Sequence, residues 1–448
     1  MEINTGDTAW VLVSAALVLL MTPGLAFFYG GMVRSKSVLN MIMMSFASMG
    51  IVGVAWVVFG YSVAFGDSFG GLIGNPTQFF GLGGLLDPSV VVGTVPALAF
   101  VAFQSAFAII AVALVSGAIA DRAKFSAWCV FSLLWATLVY FPAAHWVFAF
   151  DGVAAEHGGW IANTVKAIDF AGGTAIHINA GAAGLALALV LGHRHGFGKE
   201  PMRPHNLTLV MLGAGLLWFG WFGFNAGSAL GANALAALAW VNTLAATAAA
   251  MIGWLLTERL RDGHATSLGA ASGVVAGLVA ITPACSTVTP IGAIIIGLIA
   301  GALCAYAVGL KYRLGFDDSL DVVGVHLVGG LWGTLAIGLF ASDAAVNNTV
   351  NGLFYGGGLG QLGRQAIGSF AVMIFSFVVT ALIGLALDKT MGFRVARDEE
   401  LVGVDQSEHA ETGYDISPVA GGRRTTGSLA GLHASHVPTT STSEGAHA

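Results

Sequence analysis

Apolar runs long enough to cross a lipid bilayer follow one another along most of this chain. A span needs about 20 predominantly apolar residues. A hydropathy reading places eleven such runs, at 8–29, 38–63, 95–119, 125–150, 171–191, 206–226, 234–257, 267–282, 291–310, 322–340 and 366–387. The eighth is short and is followed by Pro283. Of 448 residues, 56% are hydrophobic and only 9% charged, against about 25% charged in an ordinary soluble domain. That composition cannot cover the surface of a soluble protein of this size. The expected fold class is an all-α integral membrane protein of eleven transmembrane helices, with the lipid bilayer as its surroundings. The 18 Lys and Arg are too scattered for nucleic-acid binding.

Basic residues set the expected orientation. With the amino terminus outside, the inner segments hold 16 of the 18 Lys and Arg, and only Lys166 and Arg364 fall outside. This follows the excess of Lys and Arg in cytoplasmic loops, and it puts the carboxyl terminus in the cytoplasm. The opening MEINTGDTAW has no basic region ahead of its apolar run, so that run is expected to stay as a span. Cys129, Cys285 and Cys304 lie in or beside apolar runs without a CxxC, and are expected to be free thiols.

Two histidines interrupt this apolar sequence in matching frames. Asp169 precedes His177 by eight residues, and Gly181 and Gly184 follow it; Asp318, His326, Gly330 and Gly333 repeat the spacing. The motifs open the fifth and tenth runs. Five spans per copy is an odd number, so the second copy inserts upside down. Inverted repeats of this kind place a substrate path near the bilayer midplane, between the halves. The expected arrangement is five plus five helices with an extra eleventh. Small residues at helical spacing allow the close packing that a narrow path requires.

An ionisable side chain within a span costs about 3 kcal/mol on insertion scales and marks function by default. A buried histidine bonded to a carbonyl is the structural alternative for one residue; two at repeat-related positions favour function. Neutral imidazole offers one donor and one acceptor, so a pair can pass a small polar solute or relay a proton. A metal site is not expected, because no cysteine or carboxylate stands at ligand spacing, and no cofactor is expected. Asp169 and Asp318 each fit a helix-start role, and Asp169 also suits the wall of an outer vestibule. Asp317, Asp318 and Asp321 read as inner caps or loop contacts. Phe103, Phe107, Trp146, Phe148, Trp218, Trp221, Phe222 and Phe224 gather near the outer ends of spans. Some belong to an interfacial aromatic belt. Ring faces also attract a cation by about 0.5–2 kcal/mol, enough to collect it but not to carry it across.

At WFGFNAGSA (221–229) and DFAGGTAIHINAG (169–181) the chain resembles the ammonium transporter family, related to the Rh proteins, and in particular its bacterial Amt-type members. PGLAFFYGG (23–31), VAFQSAFA (101–108), GFGKE (196–200), PHNL (204–207), ITPAC (281–285) and DVVGVH (321–326) extend the likeness to about residue 414. The resemblance implies a homotrimer in the inner (cytoplasmic) membrane, with a pore in each subunit for ammonium or ammonia. It implies an outer vestibule that includes Phe103 and is supported by Asp169, with Ser228 accepting a hydrogen bond from ammonium. It makes Phe107 and Phe224 a stacked gate, and His177 and His326 the twin histidines of a pore lined by Trp221. The family pattern has Trp at the position of Phe148; here the Trp is Trp146, about 200° round a helix from it.

The resemblance divides the chain into a transporter domain, 1–388, and a cytoplasmic regulatory tail, 389–448, in which GFRVARDEELVGVDQSEHAETGY (392–414) resembles the family's docking tail. A trimeric PII-type signalling protein is the partner this implies. From about residue 421 the tail is polar, low in complexity and expected to be disordered. A passive gas channel of Rh type and an ammonium sensor are the alternatives. A membrane enzyme lacks a nucleophile or metal set at plausible spacing.

Overall fold

Five of the long or apolar helices start where the preceding residue supplies an acceptor for the free amides of a first turn. Asn4 accepts from the Asp7 amide, Asn206 from Leu209, Asn233 from Ala236, Thr266 from Gly269 and Thr289 from Gly292. Each satisfies a donor that the helix itself leaves unpaired. The structure, a computed structural model, describes residues 2–414; the low-complexity segment beyond about residue 421 lies outside the described residues.

Ten of the described helices are long and apolar enough to cross a membrane. They are Thr5–Met32, Val38–Phe65, Ala97–Ile119, Phe125–Phe148, Gly173–Leu191, Leu207–Gly227, Ala234–Asp262, Pro290–Leu314, Val323–Phe340 and Gly360–Thr390. The eighth expected span is the exception. Ser267–Ile281 has 15 residues, about 22 Å of helix against a hydrocarbon core of about 30 Å. Pro283 brings no amide to continue the ladder, and the chain runs on through buried turns to Val288. The eleventh helix of the expectation starts earlier and ends later than its apolar run, at Gly360 and Thr390. Polar residues at its ends hid its length. Two-stranded hairpins, Ser68–Phe69 with Ile73–Gly74 and Val91–Val92 with Val95–Pro96, fold the loops between the second and third long helices. Cys129, Cys285 and Cys304 are free.

Glycine sets the closest helix contacts. A Cβ on Gly213 would lie 2.6 Å from Phe28 Cα, and one on Gly297 2.7 Å from Ala246 Cα. The two histidine motifs pack on each other in the same way. A Cβ on Gly181 would meet Leu327 Cβ at 2.6 Å, and one on Gly330 would meet Ile178 N at 3.2 Å. Each motif's glycine thus receives the residue that follows the other motif's histidine, and this reciprocal fit brings the histidines together.

The residues after Thr390 fold back on one end of the bundle. Asp405 accepts from the amides of Leu39 and Asn40 at 3.0 and 2.8 Å, capping the helix Val38–Ala55. Glu408 accepts from the Phe125 amide at 2.8 Å at the start of Phe125–Trp135. Glu400, fully buried, accepts from the His195 amide at 2.7 Å and from Arg394 at 2.8 Å. A charged cluster lies beneath. Arg194 grips Asp317 with Nη2–Oδ1 at 2.8 Å and Nε–Oδ2 at 3.0 Å, and Arg122 donates to the Asp317 carbonyl and the Ser319 hydroxyl, both at 2.6 Å. Burial pulls the Arg122 guanidinium down to about 10, with the Asp317 charge opposing.

Candidate functional site

His177 and His326 occupy equivalent, unusual turns. His177 lies in the π-helical turn Gly173–Ile178, and His326 in the π-helical turn Val323–Leu327. Such wide turns are rare and recur at functional sites. Aspartates anchor both. Asp169 accepts from the amides of Gly172, Gly173, Thr174 and Ala175 at 2.7–3.0 Å. Burial pushes the Asp169 carboxyl up, and those four amides pull it back. Gly172, at φ +120°, supplies the backbone conformation that lets the chain curl around the carboxylate. Asp318 accepts from Val322 at 3.1 Å and Val323 at 2.7 Å. Burial raises its carboxyl to about 6, against the lowering charge of Lys311.

The two imidazoles are buried and meet edge on, Nδ1 to Nδ1 at 3.2 Å, with near-parallel rings 5.3 Å apart. Trp221 stacks on His177, also at 5.3 Å. Its indole N–H donates to the Thr282 hydroxyl at 2.8 Å, which fixes the plane of the ring. His177 Nε2 has no hydrogen-bond partner among the described residues. His145, another buried histidine, shows the contrast. Its Nδ1 bonds the Ala64 carbonyl at 3.0 Å and its Nε2 the Ser68 hydroxyl at 2.8 Å, so both nitrogens are occupied.

Phe224 stands beside His177, ring centres 6.1 Å apart, and stacks on Phe107 at 4.3 Å and 21°. Phe103 meets Phe107 edge on at 4.8 Å. Beyond these rings opens a cavity of about 500 Å³, lined by Phe103, Phe107, Phe148, Asp169, Ser228 and Gln104 among others. The Ser228 hydroxyl donates to the Phe224 carbonyl at 2.8 Å, which leaves its lone pairs free to accept. Cavity, stacked phenylalanines, Trp221 and paired imidazoles therefore form one series of contacts. It offers a cation aromatic faces and an acceptor at the mouth, and a neutral solute ring nitrogens further in.

The conserved-domain description "Ammonium Transporter Family" matches residues 9–414. The chain belongs to the ammonium transporter family. An ammonium transporter of Mycobacterium tuberculosis is 63% identical over 93% of this chain and 91% of its own. One from Bacillus subtilis is 46% identical, covering 92% and 99%. Among solved structures, a sensor Amt protein superposes with a TM-score of 0.83 at 31% identity, covering 90% of this chain and 98% of its own. Mep2 of Saccharomyces cerevisiae gives 0.80 at 33%, covering 89% of each. The family and the long apolar helices make this a multi-pass membrane transporter.

For a member of this family, nine of the residues singled out in the sequence gather in two linked places, while Phe222 stacks apart on Trp240 at 4.3 Å. Phe103, Phe107, Phe148, Asp169 and Ser228 line the cavity, and Phe224, Trp221, His177 and His326 follow one another below it. Trp146 does not join them. Its indole N–H donates to the Leu72 carbonyl at 2.7 Å and its ring packs on Phe375 at 4.5 Å. Sequence reasoning missed Thr282, Gln104 and Asn225. All three lie inside quoted motifs, Gln104 directly after Phe103, Asn225 directly after Phe224 and Thr282 within ITPAC, but nothing local shows that the Thr282 hydroxyl reaches the Asn225 side-chain oxygen, 3.2 Å away. Lys166 and Arg364 were noticed only as basic residues on the outer side, and both line the cavity.

Proposed function

We propose that this chain takes up ammonium across the inner (cytoplasmic) membrane. The cavity is the outer vestibule: aromatic faces and the Ser228 hydroxyl hold the cation, and Phe107 with Phe224 closes the way inward. Ammonium gives up its proton there. Ammonia passes between the rings and along His177 and His326, and the proton follows through the imidazoles to recombine with it inside. The observation that carries this reading is the contact series from the stacked phenylalanines to a histidine pair with one nitrogen left unbonded. A bare cation in a dry path bears a desolvation cost that neutral ammonia avoids. Tautomer logic supports the relay. With the shared proton on His177 Nδ1, the open Nε2 accepts; with it on His326 Nδ1, the open Nε2 donates.

The finer architecture belongs to the same proposal. Eleven helices span the bilayer, Ser267–Ile281 completed by the turns after it. Two inverted sets of five meet at the histidines, with the amino terminus outside and the carboxyl terminus in the cytoplasm. The reciprocal packing of Gly181 and Gly330 supports this symmetry. Residues 1–388 form the transporter and 389–448 a cytoplasmic regulatory tail, supported by the caps that Asp405 and Glu408 supply. The working unit is a homotrimer, and a PII-type signalling protein is its partner at the tail end. Transport, not covalent chemistry, is the activity.

Ammonium-evoked current across proteoliposomes containing the pure protein tests the proposal. A sustained inward current is expected. Electroneutral ammonia flux without current would assign a passive channel of Rh type. Neither current nor flux above protein-free liposomes would leave the sensor reading.

A further inference from the structure

Two groups at the proposed ammonium vestibule carry the wrong charge for attracting a cation. Lys166 and Arg364 both line the cavity and both are exposed. Each sits where local structure disfavours it. Lys166 holds φ +59°, a left-handed conformation that lysine seldom adopts. Arg364 is the fifth residue of the helix Gly360–Thr390. Helical side chains lean back toward the amino-terminal end, where the free amides repel a cation. They are also the two Lys or Arg residues that charge asymmetry assigns to the outer face, where basic residues are rare. Among the described residues neither side chain has an ion pair or hydrogen bond, while the ion pairs gather at the tail end and in loops. Asp169 is the one carboxylate among the described residues of the lining, and both of its oxygens are held by amides. Three separate local costs meet at one cavity without a compensating contact, and such placements point to a task.

We infer that Lys166 and Arg364 are specificity-determining residues: a cationic rim that keeps cation occupancy of the vestibule low in proportion to charge, admitting ammonium weakly and excluding divalent cations. The inference rests on the ammonium-recruiting reading above. The aromatic lining attracts any cation, and a divalent ion more than ammonium. Repulsion from the rim also scales with the charge of the ion. A rim that weakens a monovalent cation n-fold therefore weakens a divalent one about n²-fold. It removes the competitors that the rings would otherwise collect.

The test uses the full chain in proteoliposomes at low ionic strength, with ammonium-evoked current as the readout and magnesium chloride as the competitor. Three proteins are compared: wild type, Lys166→Gln with Arg364→Gln, and the charge-preserving Lys166→Arg with Arg364→Lys. Both positions are exposed and unpaired, so all three should fold. Neutralisation should lower the KM for ammonium about threefold and the half-inhibitory magnesium concentration about ninefold. Both differences should vanish near 1 M salt, where the screening length is about 3 Å. The charge-preserving pair should match wild type. Wild-type current with unchanged KM and magnesium inhibition in the neutral pair would overturn the rim and leave the transport reading standing, as would equal shifts in the charge-preserving pair. Absence of wild-type current and flux would overturn both.

Discussion

His177 and His326 present Nδ1 to Nδ1 at 3.2 Å, so a single proton serves that contact and the two rings cannot take the same tautomer. Replacing one ring breaks the chain but leaves the other as an isolated buried base. Replacing both removes the nitrogens that a neutral solute can use and leaves room for water. The double variant His177→Ala, His326→Ala should therefore keep a pathway but lose discrimination. Its ammonium-over-potassium current ratio is expected to fall about tenfold or more, equivalent to about 1.4 kcal/mol. A ratio equal to wild type would remove the histidines from the selective step.

Asp169 holds four amides of one turn, and the whole set depends on its charge. Asp169→Ala would leave buried donors without an acceptor, and Asp169→Asn would set an amide N–H against two of them. Breaking a buried, charge-assisted set of this kind costs about 3–5 kcal/mol. Thermal unfolding in detergent should show a clear fall in Tm for both variants, larger for Ala. Current per reconstituted protein should fall as well, because His177 rides on the turn that Asp169 anchors. An unchanged Tm would show that the four bonds are not what holds the turn.

Much of this site was legible because membrane sequences leave few reasons for a polar residue. The spacing shared by His177 and His326 stood out against apolar surroundings, and it pointed to one meeting place before any distance was known. Asp169 read as a helix-start acceptor, which is its role, with four amides rather than the usual one or two. Partnerships across the bundle were not legible. Nothing near Thr282 says that its hydroxyl will meet Trp221, 61 positions away. The same holds for Arg122, which bonds Ser319 and the Asp317 carbonyl from 197 and 195 positions away. At Ser267–Ile281 the helix ends within one residue of the expected run; what was not legible is that Pro283 and the turns after it stay buried.

The cluster at the tail end gives a pH prediction of definite sign. Burial pushes the Asp317 carboxyl up, but hydrogen bonds from Arg194 and the charges of Arg122 and Arg194 outweigh it and hold the group below its usual range. A carboxyl lowered on folding stabilises fully above its unfolded value of about 3.9, and the contribution is lost as pH falls through the folded value. Asp317→Asn should therefore cost about 3 kcal/mol at neutral pH, the low end for breaking a buried pair, because Arg194 keeps only the more distant Asp121 carboxylate at 3.6 Å. The Tm gap between wild type and Asp317→Asn should stay constant from pH 8 to about 5 and close below about pH 4. A gap that closes between pH 8 and 6 would assign the effect to another group.

Phe148 stands where the family resemblance leads one to expect Trp, and the structure leaves it half-buried in the cavity lined also by Phe103, Phe107 and Ser228. Trp146 cannot stand in for a missing indole there, since its N–H is committed to Leu72 and its ring to Phe375. Indole presents a stronger cation-attracting face than a phenyl ring, and exposed contacts of this type are worth about 0.5–1 kcal/mol in full. The cavity of about 500 Å³ has room for the larger ring. Phe148→Trp should lower the KM for ammonium about two- to threefold, equivalent to about 0.5 kcal/mol. The maximal current should stay close to wild type, because the substitution acts at the mouth and leaves the histidine pair untouched. Ammonium titrations of current in both proteins decide it. A raised KM would mean that the indole blocks the vestibule instead of binding the cation.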